Sequence, residues 1–176
     1  AETINSFDIT WSLGGGAAYT QNFSGLNMVS LGTYNFTHQD TWTISQSGLY
    51  NLDVTISNVN GQATDDNPSN DVYSQSVQAL EYGTILDGGI QREYIYYHPG
   101  SAPPNCPLIF VCHGYTGSAQ GIMNYSEFNQ LADEYGFAVC YPQGTQDGNG
   151  NTFFNVGYDF HNNETVDDIA YLQNLT

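Results

Sequence analysis

Arg92 is the only lysine or arginine among 176 residues, and 18 Asp and Glu set the formal net charge at −17. One arginine cannot build the cationic patch that neutralises phosphates, which excludes nucleic acid as a partner. The same shortage excludes attraction to an anionic membrane surface. No apolar run approaches the roughly 18 residues that a bilayer-spanning helix needs. Residues 1–10 carry neither the basic nor the apolar segment of a signal peptide. The chain opens on Ala1, so the expectation is a processed product or a fragment. Cysteine is scarce as well. Cys106, Cys112 and Cys140 are too few for a disulfide framework and fit no metal motif, so they read as buried small hydrophobes.

The shortage of positive charge does not signal disorder. Only 11% of residues are charged, while 40% are hydrophobic and 14% aromatic, so the chain can bury a core. Polarity comes instead from 18 Asn and 19 Gly, with 14 Tyr beside them. That composition accompanies secreted β-rich proteins, and an extracellular location is the expectation. The length suits one ordinary domain or two small ones.

Residues 1–80 alternate with period two. Phe7, Ile9, Trp11 and Leu13 share one face, as do Tyr50, Leu52, Val54 and Ile56. Shorter runs at Tyr34–Phe36, Trp42–Ile44 and Val72–Val77 read as further strands, with turns at Gly14-Gly15-Gly16, Ser24-Gly25, Ser47-Gly48 and Asn60-Gly61. This pattern predicts an antiparallel sandwich. After residue 83 the pattern changes. Gln91–Tyr97 reads as a strand, and Leu108–Cys112 and Phe137–Tyr141 read as strands buried on both faces of a parallel sheet. Between them, Phe128, Leu131, Ala132 and Tyr135 share a helix face that Gly136 ends. Thr165-x-x-Asp168 resembles a capping box before a helix whose face carries Val166, Ile169, Leu172 and Leu175. The boundary between the two patterns falls near Gln78–Gly83.

The sharpest local signal is Val111-Cys-His-Gly-Tyr-Thr-Gly-Ser118, where a buried strand ends. A glycine-containing turn at that place leaves backbone N–H groups able to hold an oxyanion, although the same residues also suit an ordinary strand-to-helix turn. With "PLIFVCHGYTGSA", "LADEYGFAVCYPQG" and "VDDIAYLQNL" in order, residues 88–176 resemble the opening of secreted α/β-hydrolases of the polyhydroxybutyrate depolymerase and feruloyl esterase family. The resemblance implies a serine esterase with a Ser-His-Asp triad. Carried onto this chain, the backbone N–H of Tyr115 is the oxyanion donor, Thr116 is the neighbouring alternative, and His113 and Gly114 shape the loop. His113 is not the triad base, because the family's base follows the nucleophile in chain order.

The sequence departs from the family in one respect: it contains no G-x-S-x-G. Ser118 follows Gly117 directly, which is the wrong spacing. In the family that elbow follows the helix begun by "VDDIAYLQNLT", so nucleophile, acid and base are expected beyond Thr176, and this chain alone is expected to be inactive. The fold expected is therefore an all-β Ig-like sandwich over 1–80, followed over 84–176 by an incomplete α/β hydrolase domain of three layers with a mostly parallel sheet. The Ig-like part rests on "SGLYNLDVTISNVNGQATDDNPSND", which resembles accessory modules of secreted Bacteroidetes proteins.

Remaining candidates carry less. Phe154 and Tyr158 sit in a loop that the family places near its active-site face, so they are candidate substrate contacts. His38, His98 and His161 have no partner at ligand spacing and read as surface residues. The acidic stretch from Asp65 to Asp71 lacks the EF-hand order and reads as a turn rather than a Ca²⁺ site. Five N-x-[ST] sequons (Asn22, Asn35, Asn124, Asn163, Asn174) are ordinary for this composition. No metal and no cofactor are expected. The partner expected is an ester polymer or a feruloylated polysaccharide. A non-catalytic binding or adhesion protein with a hydrolase-like relic is the competing reading.

Overall fold

A computed structural model describes residues 3–63 and 67–176. Asp65 and Asp66 of the acidic connection lie outside the described residues. The chain divides into two compact units, Ala1–Ile44 with Tyr50–Gln78, and Ser45–Leu49 with Ala79–Thr176.

In the first unit, period-two alternation produces β1 (Ile4–Leu13), β2 (Tyr19–Met28), β3 (Gly48–Ser57) and β4 (Val72–Ala79), ordered β2-β1-β3-β4. β1 pairs antiparallel with β2 and with β3. Phe7, Ile9 and Phe23 form the buried centre, as the alternation requires. Ser24-Gly25, read as a turn, lies inside β2. There the register slips and Gly25 takes a left-handed conformation (φ 71°), so the glycine serves a bulge. Tyr34–Phe36 and Trp42–Ile44 form no strands. Their aromatic rings instead lie against the sheet: Tyr34 and Phe36 meet Phe23 at 6.0 and 4.8 Å, and Trp42 meets Tyr50 at 5.3 Å. Irregular backbone carrying large rings thus covers a face that a second sheet was expected to cover.

The second unit holds β5 (Glu81–Asp87), β6 (Ile90–Tyr97), β7 (Leu108–Phe110) and β8 (Ala138–Pro142) in the order β5-β6-β8-β7. Gly88 and Gly89 supply the two positive φ angles of a tight hairpin turn between β5 and β6. The sheet is mixed rather than mostly parallel. β5/β6 and β6/β8 run antiparallel, and only β7/β8 is parallel. β8 is buried throughout, as its apolar run requires, whereas β7 sits at the sheet edge and is half-buried.

The helical segment after the His113 loop is two helices, α1 (Ala119–Ser126) and α2 (Phe128–Tyr135), separated by Glu127 in a left-handed conformation. The Ser118 hydroxyl caps α1 by accepting from Gly121 N at 3.0 Å, and Gly136 (φ 73°) ends α2. Both helices bury Ala119, Ala132 and their neighbours against Ile95, Tyr97, Val139 and Tyr141. α3 (Asp168–Asn174) starts differently from expectation. Its cap is Asp167, which accepts from Ala170 N at 2.9 Å, and Asp168 is withdrawn into the interior. The helix buries Asp168 and Tyr171, while Ile169 of the expected face is 71% exposed and Val166, Leu172 and Leu175 are half-buried, so the packed face is rotated from the expected one. Among the described residues no helix is long and apolar enough to cross a membrane. All three cysteines are free thiols, and only Cys140 is buried; Cys112 is exposed.

Candidate functional site

The loop after β7 is fixed from three directions. His113 is 5% exposed, and each of its ring nitrogens has a partner. Nδ1 lies 2.7 Å from Gly114 O and Nε2 lies 3.0 Å from Gly144 N. A carbonyl can only accept and an amide N–H can only donate, so His113 carries its proton on Nδ1 and accepts at Nε2. Gln143 joins the same knot. Its Oε1 accepts from Ala119 N at 2.9 Å, and its Nε2 lies 3.1 Å from His113 Nε2. Gly144 permits this approach, because a Cβ there would stand 2.2 Å from Phe153 O. Gly114 O also accepts from Gly117 N at 3.0 Å, which closes the turn.

The expected oxyanion donors part company here. Thr116, held in a left-handed conformation (φ 65°), donates its N–H to Thr152 O at 2.8 Å and so spends it. Among the described residues the Tyr115 N–H has no acceptor. The Tyr115 side chain is anchored instead through its hydroxyl, which donates to Asp147 Oδ2 at 2.7 Å and accepts from Asn151 Nδ2 at 2.9 Å. Both partners come from the hairpin of β9 (Thr145–Gln146) and β10 (Thr152–Phe153).

Asp147 is the hub of that hairpin. Its Oδ1 accepts from Asn149 N and Asn151 N, both at 2.9 Å, and its Oδ2 takes the Tyr115 hydroxyl and His161 Nε2 at 3.3 Å. The Tyr115 hydroxyl is the largest influence holding the Asp147 carboxyl down at about 2; burial pushes it up, and the Asn151, Asn149 and His161 donors pull it further down. The same bond raises the Tyr115 phenol. His161, read from sequence as a surface residue, is buried among Phe153, Phe160, Tyr115 and Tyr158. No sequence spacing announces this cluster, because three chain segments contribute to it.

A cavity of about 290 Å³ opens beside the loop. His113, Gly114, Tyr115, Phe154 and Tyr158 all line it, and Thr116 does not. Phe154 packs on the His113 ring at 4.8 Å. The floor includes Asp168, which pairs with Arg92 and accepts from Asn155 N at 2.5 Å. Cys112 also lines the cavity; although part of the residue is exposed, partial desolvation of its thiol raises it, with Asp168 adding to the effect, so this cysteine is not an activated nucleophile. Among the described residues no three His, Cys, Asp or Glu side chains converge as a metal would require. The arrangement supplies a free backbone donor at Tyr115, a shaped apolar cavity and a rigid support, and among the described residues lining the cavity no nucleophile is hydrogen-bonded to a base.

Residues 92–160 match the family model described as Esterase PHB depolymerase. The match covers β6 through the aromatic loop after β10, and so includes the His113–Thr116 turn. It supports a carboxylic-ester hydrolase-like domain. No curated protein and no solved structure matches the chain significantly.

Proposed function

We propose that residues 84–176 are the oxyanion-loop portion of a secreted serine carboxylic-ester hydrolase, and that residues 1–80 are an Ig-like accessory module. The substrates proposed are polyester (polyhydroxyalkanoate) or feruloyl-type esters. The observation that carries the reading is the contrast between neighbouring amides, with the Thr116 N–H spent on Thr152 O and the Tyr115 N–H free beside the cavity. In the reaction, a serine hydroxyl from the continuing chain attacks the ester carbonyl and gives its proton to a histidine. The carbonyl oxygen gains negative charge and is held by the Tyr115 N–H. Collapse breaks the ester C–O bond as the histidine returns its proton to the departing alcohol, and water, deprotonated by the same histidine, then releases the acid from the acyl-enzyme and restores the serine hydroxyl. One such donor is worth about 10²–10³-fold in rate. The outer edge of β7 supports the same reading, since among the described residues no strand pairs with it and it can take a further one.

The test is the longer gene product. Hydrolysis of p-nitrophenyl esters is expected, lost on replacing the serine of a downstream G-x-S-x-G and retained in Ser118→Ala. A stop codon directly after Thr176 overturns the reading.

A further inference from the structure

The loop that follows β10 is tied down at its base and apolar at its tip. The Asn155 side-chain amide donates to Glu164 O at 3.2 Å and to Val166 O at 3.0 Å, closing residues 156–165 into a compact loop. Glu164 Oε1 accepts from Gly148 N at 2.9 Å, which fastens the loop to the β9–β10 hairpin. Underneath lies His161, buried and bonded to Asp147. Such a loop has no need of apolar residues on its outer side, yet Tyr158 is 54% and Phe160 66% exposed. Their rings stack with centroids 5.2 Å apart and planes only 8° from parallel. Tyr158 lines the cavity, and Phe160 stands edge-on to Tyr115 at 5.9 Å, so the ring pair leads outward from the proposed reaction centre. Exposed aromatic surface on a rigid loop beside a cavity marks a binding surface.

The surroundings choose the ligand. Asp159, Asn162 and Asn163 are exposed beside the rings, and the chain's one arginine is buried elsewhere. The rim carries one carboxylate, two amides that both donate and accept, and no cation, so it disfavours an anionic polymer and suits a ligand rich in groups that both donate and accept, which a polyester is not. A sugar ring fits on both counts, with an apolar C–H face for the aromatic ring and hydroxyl donors for the carboxylate and amide oxygens. We infer that Tyr158 and Phe160 form a stacking platform for a neutral glycan chain whose ester substituent enters the cavity. Only that last placement rests on the ester-hydrolase reading.

Affinity electrophoresis of the full chain tests the platform without any turnover. Neutral xylan in the gel is expected to retard the protein, polygalacturonate to leave it unretarded, and polyhydroxybutyrate granules to leave it in the supernatant. Tyr158→Ala is expected to weaken retention about tenfold, in line with the loss of one well-packed stacking contact. Tyr158→Phe keeps the ring and is expected to retain binding. Tyr125→Ala, which removes an aromatic ring exposed on α1, serves as the control and leaves retention unchanged. No retardation by xylan, equal retention by polygalacturonate, capture by the polyester, or undiminished binding in a folded Tyr158→Ala variant each overturns the inference. Because retention is read without hydrolysis, its failure is distinct from an absence of esterase activity in the longer product.

Discussion

Arg92 Nη2 meets Asp168 Oδ1 at 2.5 Å across 76 residues of chain, and both side chains are buried. The guanidinium also lies 3.9 Å from the centre of the Tyr171 ring, and Asp168 Oδ2 accepts from Asn155 N. One ion pair therefore joins β6, α3 and the start of the aromatic loop. Removing a single partner leaves an uncompensated buried charge, at a cost of about 3–5 kcal/mol. Asp168→Ala and Arg92→Met are each expected to lower the urea midpoint sharply, and the double replacement Arg92→Met/Asp168→Leu to recover much of the loss. Single variants with the parent's midpoint would contradict this.

At Gly144 the obstacle is backbone, which cannot swing aside. An added Cβ meets Phe153 O at 2.2 Å and Phe153 C at 2.8 Å. Gly144→Ala is expected to destabilise by about 1–3 kcal/mol, the usual range for forced overpacking. Gly148→Ala, whose nearest neighbour is Glu164 Oε1 at 3.7 Å, is expected to stay within about 0.5 kcal/mol. Thermal melts of the pair decide the matter, and equal melting temperatures refute it.

Asp147 makes stability depend on acid in a definite direction. Its carboxyl is held at about 2, below its ordinary 3.8, so the unfolded chain takes up a proton first as pH falls. The stabilisation is complete above about pH 4 and is lost as pH drops through about 2. Tyr115→Phe removes the largest cause of the depression. The Asp147 carboxyl, followed by carbon NMR, is expected to titrate closer to its ordinary value, and acid unfolding is expected to begin at higher pH. An unmoved titration rules out the hydroxyl as the cause.

His113 supports the loop as an acceptor. His113→Phe keeps the ring's bulk but leaves the Gly144 N–H without a partner in a buried place. The expected loss is about 1–3 kcal/mol, with faster hydrogen exchange at the Gly144 amide. Unchanged exchange there means that Nε2 is not the acceptor.

What the sequence disclosed followed periodicity and local chemistry. The buried run ending at Tyr141 marked β8, the spaced apolar residues with Gly136 marked α2, and the glycine turn at His113 marked the loop now found beside the cavity. Tyr34 and Trp42 misled because aromatic residues spaced as in strands also suit an irregular cover, and nothing local separates the two. His161 and Asp147 were invisible for another reason. Their pairing, and the bond from Tyr115, depends on how the β9–β10 hairpin folds over a loop about 30 residues earlier, and no periodic signal encodes such a meeting. Asp168 was seen as a helix start, yet its partner Arg92 lies in another element.

The burial of Arg92 also gives the molecule an internal reporter. Trypsin requires an exposed Lys or Arg, and the folded surface offers neither, since the one arginine is 2% exposed within β6. The native chain is therefore mute to this protease. Cleavage between Arg92 and Glu93, into halves of 92 and 84 residues, registers each opening of the second unit's sheet. A single band splitting into two thus clocks unfolding without dye, label or engineered site.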